Sequence, residues 1–132
     1  MAKRFFTIKT AVFRTSLTFS ALLFLLLASS PAMAEKEPLG PDRWPTSVDA
    51  AVDDILSSLS AEHKQILLNT PKENLIRFHH GWGPGIRNYY GLWRGNNELL
   101  RDACDGELCH PDEASMVIIE RVWEAVQEEY GE

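Results

Sequence analysis

Between residues 111 and 130, apolar side chains return every third or fourth position. Ile118, Ile119, Val122, Trp123, Val126 and Tyr130 fall on one side of a helical wheel, and Ser115 shares their stripe. Glu120, Glu124 and Glu128 fall opposite as an acidic ridge. Pro111 and Asp112 are start signals, so this pattern predicts a long final helix. A second amphipathic run carries Val48, Val52, Ile55, Leu56 and Leu59, with Asp49 and Asp53 facing away. Thr46 or Ser47 opens it, and Thr46 with Asp49 three residues on fits a capping box. Ser60 caps a short helix through Ile66 and Leu67 that ends at Asn69. Thr70-Pro71-Lys72-Glu73 predicts the start of a further helix towards Gly81. Asn96 or Asn97 caps a short one through Leu99 and Leu100.

No segment alternates polar and apolar residues with hairpin turns between, so no sheet is expected. The pattern predicts an all-α fold: a small compact domain of about four to five helices over residues 46–132. Residues 35–45, with three prolines and a glycine, read as an extended lead-in. Trp44 at its end could fold back onto the core.

Residues 77–96 interrupt this regularity. They hold five of the eight glycines, two of the four tryptophans, two of the three tyrosines and two of the four histidines. Gly81, Gly83 and Gly85 around Pro84 are expected to break any regular helix. Ile86 to Trp93 then reads as a short, frayed one. If that helix held, Arg87 and Arg94, seven apart, would share a face. With Asn88, Tyr89, Tyr90 and Trp93 they could clamp a carboxylate and stack on a sugar or peptide. Arg77 and His80 complete this candidate ligand-binding set. The competing reading pairs the arginines with the protein's own carboxylates and leaves Trp82 and Trp93 to fill the core. His80 could act as a general base, but no nucleophile accompanies it, and no catalytic residue is assigned. His79 reads as a half-buried histidine holding one hydrogen bond.

The N-terminus changes the address. Lys3, Arg4, Lys9 and Arg14 precede an apolar run over residues 17–28 and an Ala32-Met33-Ala34 cleavage signal. This is the layout of a signal peptide, residues 1–34, cleaved after Ala34. A retained anchor is the alternative, although the apolar run falls short of the roughly 20 residues a spanning helix needs. A periplasmic or secreted protein is expected, with no stable membrane insertion after cleavage.

Loss of the leader removes four of the 13 basic residues and none of the 19 acidic ones, so the remainder carries a formal net charge of −10. Nucleic acid is an unsuitable partner for such a chain. A periplasmic or envelope protein is the expected partner class.

Cys104 and Cys109 are the only cysteines. In an oxidising compartment they are expected to pair as a disulfide. The C-x4-C spacing does not match a C-x-x-C redox motif. A metal site with His110 lacks a fourth ligand at motif spacing. No cofactor or metal is assigned.

Arg77-Phe78-His79, Gly81, Gly83, Ile86-Arg87-Asn88 and Gly91-Leu92-Trp93 form a pattern. With Trp44-Pro45, Asn69-Thr70-Pro71, Pro111-Asp112 and Ala114-Ser115-Met116, it resembles a family of uncharacterised bacterial domains. Pro84-Gly85 departs from that family's pattern. The resemblance implies a single compact domain and carries no activity. The function expected is therefore a small non-enzymatic protein-binding domain, with a module for cell-wall fragments as the alternative and a small hydrolase behind both.

Overall fold

The computed structural model describes residues 36–131; the signal peptide and cleavage site expected over residues 1–34 lie outside them. Five α-helices follow in order: α1 (Val48–Ser58), α2 (Ala61–Leu68), α3 (Trp82–Tyr89), α4 (Asn97–Ala103) and α5 (Pro111–Tyr130). Two 3-10 segments, Pro41–Arg43 and Lys72–Phe78, lie before α1 and between α2 and α3. There is no strand among the described residues, and none of their helices is long and apolar enough to cross a membrane. The fold is all-α.

The long amphipathic stripe decides the architecture. α5 packs against all four other helices and against Lys72–Phe78. Ile118, Ile119, Val122 and Val126 are wholly buried on it, together with Ala114 and Ser115. Each of those four aliphatic side chains contributes about 1.5–3 kcal/mol on burial. Val48, Ala51, Val52 and Ile55 of α1 and Leu99 and Leu100 of α4 close over the same core.

Local capping chemistry sets most boundaries. Ser47, Ser60 and Asn96 each accept a backbone N–H three residues on, at Ala50, His63 and Leu99. At α1 the cap is Ser47, so the Thr46–Asp49 capping box does not form. The carboxylate of Asp102 in α4 accepts from Val48 N at 2.6 Å, which puts an anion at the positive end of α1.

Two expectations fail locally. Thr70 does not cap an α-helix. Its hydroxyl donates back to Ile66 O at 2.6 Å, while its own carbonyl accepts Trp123 Nε1 at 2.8 Å. With the hydroxyl spent, Pro71 becomes the cap and the segment winds as 3-10. Residues 81–85 also do not break the chain. α3 begins at Trp82 and carries Pro84 as its third residue. There the missing N–H costs nothing, because first-turn donors have no intrahelical acceptor.

The helix instead ends at Tyr89. Gly91 follows at φ +71°, and a Cβ there would overlap the Trp44 indole. Trp44 thus folds back onto the body of the protein. The lead-in is strapped down with it. Leu39 N donates to Tyr89 O at 3.0 Å, and Leu39 O accepts from Trp44 Nε1 and from Arg94, each at 2.9 Å.

Candidate functional site

The residues singled out between 77 and 96 are distributed over three places. Arg77 and His80 are exposed on the 3-10 side. Arg77 borders a shallow depression with Glu62, Gln65 and Asn69, and the His80 ring stands T-shaped to that of His79, with centroids 4.8 Å apart. Asn88, Tyr89 and Arg94 sit on the lead-in side. The guanidinium of Arg94 donates to Leu39 O and Asn88 O and lies 5.4 Å from the Trp44 ring. Arg87 and Trp93 lie near the start of α5. Arg87 and Arg94 do not share a face, because the helix that would have aligned them stops between them. His79 is half-buried, and its Nδ1 has no hydrogen-bond partner among the described residues.

The best-built constellation is the third place. Arg87 is 7% exposed, and its Nη1 reaches Ser115 Oγ at 3.0 Å and Asp112 Oδ1 at 3.1 Å. Gly83 makes room for it: a Cβ there would stand 2.6 Å from Nη1. Asp112 turns its other oxygen towards His110 Nδ1, 3.5 Å away, and the same nitrogen accepts Asp112 N at 3.2 Å as the cap of α5. His110 then stands edge-on to Trp93, with ring centroids 5.1 Å apart.

A buried cation thus fixes the Asp112 carboxylate, the Asp112 backbone N–H fixes an imidazole, and the imidazole flanks an aromatic. Trp93 is 53% exposed, although Leu92 beside it is buried. It does not fill the core. Leu108, two residues before His110, is 54% exposed.

The loop that carries Leu108 is closed by the Cys104–Cys109 disulfide, the pairing expected from sequence. Cys104 is the C-cap of α4, and Cys109 directly precedes the cap of α5. Glu113, one turn into α5, brings its carboxylate within 4.8 Å of both sulfurs. Sequence spacing offers His110 to the cysteines only as an incomplete metal set, and it brings neither Asp112 to Arg87, nor His110 to Trp93, nor Glu113 to the cysteines. Pro111 and Asp112 read from the sequence only as a helix start.

Other concavities lie elsewhere on the surface. A groove between α1 and α5 is lined by Asp49, Asp53, Glu124 and Glu128 over Val52 and Leu56. Arg121 already occupies its acidic rim, pairing with Glu124 at 3.0 Å and Asp49 at 3.5 Å. A cleft of about 390 Å³ lies under the lead-in, between Arg43, Asp54, Tyr89 and Tyr90. At its base Tyr90 donates to Asp54 Oδ2 at 2.8 Å. Burial, and then that hydrogen bond, push the Tyr90 phenol well above its ordinary range.

The fold and its closed loop define a small all-α domain with a single short-range disulfide. The family described as a domain of unknown function (DUF6794) matches residues 44–126, well over half of the chain, and the chain belongs to that family. No curated protein and no solved structure matches it.

Proposed function

We propose that this is a small exported, non-enzymatic domain that binds another envelope protein through the face carrying Trp93, His110 and Leu108. One observation carries the reading: Trp93 is half exposed on a support that is otherwise packed and hydrogen-bonded. Gly91 and Trp44 fix the turn before it, and the backbone N–H of Asp112, whose carboxylate Arg87 holds, fixes its neighbour His110. An aromatic held in one place loses little freedom on binding, and tryptophan is among the residues that dominate interface energetics. Asp105, Glu107, Asp112 and Glu113 surround the face in sequence, so the partner's rim is basic. The leader over residues 1–34 supports export.

Pull-down from envelope extract at low salt tests this. A partner retained by the wild type and lost with Trp93→Ala supports the reading. Equal recovery by both forms, or no partner at all, refutes it.

The lead-in cleft supports a second reading. Arg43 and Asp54 present opposite charges beside Tyr89, which suits a small zwitterion such as an amino acid or a cell-wall peptide fragment. Trp44 closes the same strap, so its fluorescence would respond to an occupant. A flat titration with such fragments dismisses this reading.

A further inference from the structure

Among the described residues, one group of metal-ligating side chains comes together in space: Cys104, Cys109 and Glu113, whose ligand atoms all lie within 4.8 Å of one another. We propose that these three form a Zn²⁺ site that is closed while the disulfide is intact and opens when a dithiol reductant cleaves it.

The placement rests on helix ends. Cys104 is held by the last turn of α4, where its N–H donates to Arg101 O. Cys109 directly precedes the cap of α5 and Glu113 lies in its first turn, and their ligand atoms come within 4.8 Å. α4 and α5 pack directly on each other, which keeps the three positions together without the covalent link. Two thiolates at about 2.3 Å from a tetrahedral Zn²⁺ stand about 3.8 Å apart, a small opening from the bonded pair. Glu113 is exposed and makes no ion pair among the described residues, so its carboxylate is free to turn inward. Two thiolates, one carboxylate and one water make a complete coordination set for zinc. His110 is engaged as the α5 cap and is not needed.

The chemistry balances in two steps. The disulfide takes two electrons and two protons from the dithiol, which becomes a disulfide itself. The two thiols then release two protons as Zn²⁺ binds. Three anions gathered at one point repel each other until a cation joins them, so the reduced loop gains from the metal what it lost with the bridge.

Co²⁺ serves as the probe, because thiolate ligation gives it a charge-transfer band in the near ultraviolet. The purified protein is titrated with Co²⁺ in its oxidised form and after reduction by a dithiol, with circular dichroism recorded throughout. The expected result is no band in the oxidised protein and a one-to-one band after reduction, with helicity retained. Zn²⁺ displaces the Co²⁺, and Glu113→Gln weakens binding roughly tenfold or more, as loss of a ligand does. No band after reduction overturns the proposal. So does a band unchanged by Glu113→Gln, or one that persists with equal affinity in denaturant, since it would then come from the loose Cys-x4-Cys segment alone.

Discussion

The space that Gly83 leaves for Arg87 can be tested by a double-mutant cycle. In the wild type, Gly83→Ala places a Cβ 2.6 Å from Arg87 Nη1. That contact is too close, and the guanidinium cannot simply swing aside, because Ser115 and Asp112 hold its head and the residue is 7% exposed. Displacing it weakens a charge-assisted hydrogen bond, worth about 1.5–3 kcal/mol. It also weakens an ion pair whose carboxylate side is 41% exposed, worth about 1 kcal/mol at most. Against this, alanine in place of glycine favours the helix by about 0.5 kcal/mol at this first-turn position. The net cost of Gly83→Ala is therefore about 1–2 kcal/mol. Arg87→Met ends one atom short of the guanidinium carbon, so the overlap disappears. In that background Gly83→Ala becomes neutral or stabilises by about 0.5 kcal/mol. The coupling of about 2 kcal/mol is read from urea midpoints of the four proteins, with m-values checked for constancy. Equal effects of Gly83→Ala in the two backgrounds, or a gain in the wild type, would show that Arg87 does not lie across Gly83.

Other expectations follow from the same packing. Gly91→Ala lowers stability by about 2 kcal/mol or more in urea, since the new Cβ meets Trp44 at a positive φ. Serine at both Cys104 and Cys109 costs about 2 kcal/mol by the loop-entropy estimate, measured the same way. The raised Tyr90 phenol keeps its proton in the fold while the unfolded phenol loses it near 10.0. Its stabilising contribution is complete below that value and declines above it by up to about 1.4 kcal/mol per pH unit, and Tyr90→Phe should lack this share of the alkaline decline. Trp93→Ala should leave the urea midpoint nearly unchanged, because the indole is half exposed, while it removes partner binding.

The parts legible in the sequence are those written in neighbouring residues. The stripe of α5, the Ser60 and Asn96 caps and the Cys104–Cys109 pairing each depend on residues only a few positions apart. The parts that were not legible depend on distant partners. Thr70 carries every local sign of a helix cap, yet Trp123, 53 positions away, takes its carbonyl while the hydroxyl turns back to Ile66. Pro84 looked like a breaker because its position within a helix turn depends on where α3 starts, and nothing local fixes that start: Gly81 provides no side-chain cap. Arg87 looked available for a ligand because Ser115, its partner, is 28 residues on. The competing reading, in which Arg87 serves the protein's own carboxylates, matches its contact with Asp112. Trp93 departs from that reading, since it stays outside.

The proposed function stands or falls with Trp93 as an outward contact residue. Photo-crosslinking in intact cells tests it most directly. A benzophenone amino acid is placed at position 93, with exposed position 53 on α1 as control. One discrete heavier species is expected from position 93 and none from position 53. Silence at position 93, or the same products from both positions, would contradict it.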